Sequence, residues 1–98
     1  MRVSLPHDLG AEEVRRRMHT HAHEIADYFP KGMAEVETSW PNEDRMDLHI
    51  TAAGQRIEGG VSISEDNVVI EMDLPRVLGF MRGALERAVR SNASKLLE

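Results

Sequence analysis

The stretch AEVETSWPNEDRMDLHITAAGQRIEGGVSISEDNVVIEMDL, residues 34–74, decides the fold. Its apolar residues recur at every second position. Ala34, Val36, Thr38 and Trp40 alternate with Glu35, Glu37 and Ser39, and Met46, Leu48 and Ile50 alternate with Asp47, His49 and Thr51. Ile57, Gly59, Val61 and Ile63 form a third set, and Val68, Ile70, Met72 and Leu74 a fourth. A period of two sends neighbouring side chains to opposite faces of a pleated strand, so each apolar set lies on one face. Turn-forming runs separate the sets: Pro41-Asn42-Glu43-Asp44, Ala53-Gly54 and Glu65-Asp66-Asn67. Connections this short pair neighbours antiparallel. The pattern predicts a four-stranded meander with one apolar face and one face in water. Gly59-Gly60, inside the third strand, points to a bulge or a bend.

Working outward, residues 2–5 alternate and stop at Pro6, which reads as a short strand near a sheet edge. Val14, Met18, Ala22, Ile25 and Phe29 then recur at helical spacing, predicting a helix over 11–29. Asp8 or Gly10 caps it, and Pro30 and Gly32 end it. Beyond Leu74-Pro75, the residues Met81, Leu85, Val89, Asn92 and Leu96 form a second stripe, with Ala88 beside it. This helix begins at Pro75 or only near Phe80, because Gly79 and Gly83 each cost a helix about 1 kcal/mol relative to Ala. The order is β-α-β-β-β-β-α. Each helix has one apolar stripe and the sheet has one apolar face. The expected fold is a single α+β domain over 1–98, a two-layer sandwich with a mostly antiparallel sheet and two helices on one face.

Composition narrows the function. The chain has 98 residues, 41 % of them hydrophobic and 30 % charged, enough for a modest core and too few for a multi-site enzyme. The absence of cysteine excludes disulfides, thiolate metal sites and a cysteine nucleophile. No apolar run reaches membrane length, and MRVSLPHDLG lacks a signal-peptide core, so the expected location is cytoplasmic. The net charge of −5 is unevenly placed: residues 32–75 carry −8 and residues 76–98 carry +3. An acidic middle suits a phosphate backbone poorly, so no nucleic-acid partner is expected.

Several side chains invite a chemical role. His19 and His23 stand one turn apart, with Asp27 one turn further, which is metal-binding spacing. The same face carries Glu12 and Arg16, and the sequence has no HExxH pattern. A solvated face with Glu12–Arg16 and His23–Asp27 pairs is the reading adopted, with His21 at its boundary. His7 could act as a base oriented by Asp8, or bond the backbone where the chain turns; no nucleophile pattern accompanies it. Arg15, Arg16 and Arg17 point about 100° apart on a helix. Arg16 is then exposed, while Arg15 and Arg17 extend over the rim of the sheet. On the outer sheet face, Glu35, Glu37, Asp47, Glu58, Glu71 and Asp73 crowd around Arg45, Arg56 and His49. No catalytic residue, metal or cofactor is assigned. Val77, Leu78, Phe80 and Met81 either close one end of the core or contact an apolar partner.

The run Val3 through Pro6-His7-Asp8-Leu9-Gly10, then Glu13-Val14-Arg15-Arg16, resembles the polyhydroxyalkanoic acid system, or granule-region, proteins. The surroundings of Trp40 and of Leu48-His49-Ile50 are also similar to that family. So is Leu78-Gly79-Phe80-Met81-Arg82-Gly83 before Leu85-Glu86-Arg87-Ala88-Val89-Arg90. The His-rich first helix and the longer Pro-containing link before Trp40 depart from it. The resemblance implies a bacterial accessory protein of polyester storage with no established catalytic residues. Its partner would be the granule surface or a granule-associated protein, met through residues 77–81. The alternative is a small hydrophobic-ligand binding module with a helix-grip-like outline, in which Met18, Met46, Met72 and Met81 line a pliable interior. An edge strand or the 77–81 segment is where a homodimer would form.

Overall fold

The computed structural model describes residues 1–24, 34–52 and 54–98. The chain runs β1 (Arg2–Pro6), α1 (Ala11–His21), β2 (Ala34–Asn42), β3 (Arg45–Ala52), β4 (Gln55–Ile63), β5 (Asn67–Asp73), a 3-10 helix (Arg76–Met81) and α2 (Arg82–Leu96). The five strands form one sheet in the order β1-β5-β4-β3-β2, every pair antiparallel. The meander is as the alternation predicts. The register places Leu48 opposite Gly59, Ile50 opposite Ile57, and Val61 opposite both Met46 and Ile70. The apolar positions of the three central strands therefore share one face.

β1 closes the far edge, with Val3 opposite Ile70 and Leu5 opposite Val68. β1 and β2 are therefore parallel to each other at opposite edges, and the connection through α1 must cross the sheet. Both helices cover the same face: Val14 and Met18 of α1 and Leu85, Val89 and Ala93 of α2 join one buried cluster with Leu48, Ile50, Val61 and Ile70. The two-layer α+β sandwich is thus the observed fold.

Four local expectations need correction or restriction. α1 ends at His21, and the expected helical positions Ile25 and Phe29 lie outside the described residues. Asn92 is exposed, and Ala93 takes the buried place on α2. Burying an amide without partners is costly, and Asn92 Nδ2 instead donates to Ala88 O at 2.8 Å. Gly59-Gly60 makes no bulge, since both flanking registers run through it unbroken. A Cβ on Gly59 would stand 2.5 Å from Glu71 O, and one on Gly60 would collide with the Arg45 guanidinium. Close approach, not bending, is what these glycines allow. The irregularity lies in β2 instead, between Ser39 and Asn42 around Pro41, and it shortens the expected turn to Glu43-Asp44. Proline cannot donate to a ladder, so an edge strand is where it can stand.

The second helix begins in two stages. A 3-10 segment covers Arg76–Met81 before α2 starts at Arg82. Gly10, with φ +80°, stands at the N-cap of α1 and supplies no side-chain cap.

Candidate functional site

The β1–α1 corner is built on His7, which is buried at 7 % exposure. Its Nε2 donates to Ser64 O at 3.0 Å, and Leu9 N–H donates to Nδ1 at 3.2 Å. These partners assign the neutral tautomer with the proton on Nε2. His7 N–H also donates to Asp66 O at 3.0 Å. Both ring nitrogens are engaged with backbone, so His7 clips the corner to the β4–β5 turn. Asp8 is exposed and makes no hydrogen bond with His7 among the described residues.

His19, His21 and His23 do not act as a set. His19 stacks on Trp40 of β2, with ring centroids 3.9 Å apart and planes 16° from parallel. His21 Nδ1 lies 2.8 Å from Glu24 Oε2, and His23 is exposed. Asp27 lies outside the described residues. Among the described residues no three His, Asp or Glu side chains are placed to hold a metal ion.

Arg16 is exposed as expected, but of the two flanking arginines only Arg15 extends over the rim of the sheet, and Arg17 turns to α2 instead. Arg15 reaches the β2–β3 turn, 3.3 Å from Asp44 and 3.9 Å from Glu43. Arg16 pairs with Glu13 rather than with the expected Glu12, through bonds of 2.8 and 2.6 Å. Arg17 bonds Glu13 at 2.7 Å and donates to Leu96 O at 2.8 Å and Glu98 O at 2.6 Å. It thereby caps the end of α2, where carbonyls lack helical partners. No spacing in the sequence could reveal this contact, because it spans 79 residues.

Residues 77–81 are not one surface. Leu78 is 2 % exposed and belongs to the core, and Met81 is half-buried. Val77 at 60 % and Phe80 at 80 % stand out in solvent. Arg76 and Arg82 flank them, both exposed and without an ion pair among the described residues. A 3-10 helix repeats every three residues, so Val77 and Phe80 share one side while Leu78 points elsewhere. Leu78 anchors the segment in the core, and Leu78 N–H donates to Pro75 O at 2.9 Å.

A second feature lies between the helices. A cleft of about 520 Å³ opens over the inner sheet face, with Met18, Met46, Met72, Val61 and Val89 in its walls and Asn92 and Lys95 near them. Three of the four methionines expected to line an interior are there; Met81 is not.

A family model described as "Putative polyhydroxyalkanoic acid system protein" matches residues 1–97. The chain belongs to the polyhydroxyalkanoic acid system protein family. No curated protein matches it. It is also similar to TTHA0849 from Thermus thermophilus, at 17 % identity over 99 % of this chain and 90 % of that one, with a TM-score of 0.39.

In this polyhydroxyalkanoic acid system protein the outer sheet face is acidic by row. Glu37, His49, Glu58 and Asp73 stand opposite one another across four strands. His49 Nδ1 is 2.7 Å from Glu58 Oε2, and Arg56 Nε is 3.2 Å from Oε1. Arg45 lies over Gly60, bonding Asp47 and Ser62, each at 3.0 Å. Glu35, Glu37, Glu71 and Asp73 have no ion-pair partner among the described residues. Arg45, Arg56 and His49 are already engaged, and Arg2, opposite Glu71 in the register, makes no ion pair among the described residues.

No helix among the described residues is long and apolar enough to cross a membrane.

Proposed function

We propose that this chain is a non-enzymatic, cytoplasmic accessory protein of polyhydroxyalkanoate storage that touches the granule surface or a granule-bound protein. One observation carries the reading beyond the family name: Phe80, at 80 % exposure, stands beside Val77 on a turn that Leu78 anchors in the core. A large aromatic side chain in water, with an aliphatic neighbour, marks a contact with an apolar surface. The flanking Arg76 and Arg82 lie in the segment of net charge +3, remote in charge from the −8 of residues 32–75. Such a patch would seat on an apolar surface carrying some negative charge, with the acidic sheet face turned away.

Co-sedimentation with isolated polyhydroxyalkanoate granules tests this. The wild-type chain is expected in the pellet, and Phe80→Asp in the supernatant with an unchanged melting temperature. If both proteins stay in the supernatant, or both pellet alike, the 77–80 contact is wrong.

A further inference from the structure

The cleft between α1 and α2 has a chemistry of its own. Its volume of about 520 Å³ falls in the range of small-molecule sites, roughly 300–1,000 Å³. Its floor is apolar and belongs to the core: Met18, Met46 and Met72 lie there at 6 %, 0 % and 2 % exposure, so they must part to admit an occupant. An unbranched thioether has three rotatable bonds and reshapes around an occupant at little cost. The polar lining is unequal in charge: Arg16, Arg17 and Lys95 against Glu24 alone.

These cations are not equally available. Arg16 and Arg17 are engaged with Glu13, and Arg17 also with Leu96 O and Glu98 O. Glu24 lies 2.8 Å from His21. Lys95, exposed in the last turn of α2, has no ion-pair partner among the described residues. An apolar interior with one uncommitted cation in its lining suits an amphiphile with a negative head.

We propose that this cleft binds one unbranched acyl chain as its free carboxylate, with Lys95 holding the head group and the buried Met18, Met46 and Met72 giving way to the chain. This site is separate from Val77 and Phe80, and its ligand is a dissolved monomer, so it stands whether or not the protein meets a granule.

Isothermal titration with octanoate, octan-1-ol and octyltrimethylammonium, each below its aggregation concentration, separates the contributions of chain and charge. Octanoate is expected to bind saturably, one molecule per chain, at least about tenfold tighter than either of the others. Lys95→Glu should weaken octanoate by about tenfold or more, and Lys95→Gln by less. Asn92→Trp, which sets a bulky ring in the cleft lining from an exposed position, should remove binding. Both positions changed are at the surface, and circular dichroism and the melting temperature confirm that each variant is folded. Absence of saturable octanoate binding overturns the proposal. So does equal affinity for octan-1-ol, or octanoate binding that no variant alters.

Discussion

Glu13 accepts from two arginines at once, and its ionisation reflects that. The hydrogen bonds from Arg16, then the one from Arg17, lower its carboxyl from 4.5 to about 2. A carboxyl whose folded value is depressed adds stability above its unfolded value and loses it as pH falls through the folded one. The difference in melting temperature between wild type and Glu13→Gln should therefore be full above about pH 5 and gone near about pH 2. Added salt should shrink it, since the pairs are at the surface. A difference that stays constant from neutral to acid pH refutes this account. In the sequence Glu13 and both arginines share one helix, but spacing favours Glu12 as the partner of Arg16. Residues three and four apart on a helix are both neighbours, and side-chain direction chose between them. His7 is a similar case. The alternatives of base and backbone clip stay open in the sequence because its partner Ser64 is 57 residues away in the chain.

Elements show the same division between local pattern and long-range choice. Glycine cost is a matter of what stands nearby. At Gly59 a Cβ would meet Glu71 O at 2.5 Å, a backbone atom that cannot swing aside. At Gly83, in the first turn of α2, its nearest neighbour would be Arg87 Nη1 at 3.5 Å, an ordinary contact. Gly59→Ala should thus destabilise by about 1–3 kcal/mol. Gly83→Ala should stabilise by about 0.5–1 kcal/mol, the helix propensity gained. Chemical denaturation of the two variants checks both signs, and equal effects would show that local crowding is not the cause. From sequence both glycines read as breakers. The second helix did start late, yet through a 3-10 segment that puts Leu78 inside and Phe80 outside. Periodicity alone could not settle that, because either helical winding turns Phe80 away from the side that buries Leu78, whereas a loop would let both close the end of the core.

At the scale of the molecule, one layer face is a core and the other an excess of carboxylates. The ion pairs on that outer face are exposed, and such pairs contribute only about 0–1 kcal/mol each. Repulsion acts along β2 between Glu35 and Glu37, along β5 between Glu71 and Asp73, and across neighbouring strands between Asp73 and Glu58, and it falls with screening. The melting temperature should rise between about 0.02 and 0.2 M sodium chloride at neutral pH, over which the Debye length shortens from more than about 10 Å to less. A fall over that range would mean that the exposed pairs outweigh the repulsion.

The chain's alternating runs and two helical stripes determined a two-layer α+β domain, the antiparallel meander and the faces that meet, because period and turn chemistry are local properties. The meander left two free edges, at β2 and β5, and nothing in residues 2–6 chose between them. Tertiary structure chose β5, where His7 can reach the β4–β5 turn through Asp66 and Ser64. It alone also brought Arg17 to the end of α2, His19 onto Trp40, and Lys95 to a cleft walled by methionines from three elements. These contacts join residues far apart in sequence, and only packing both helices on the same face brings them within reach.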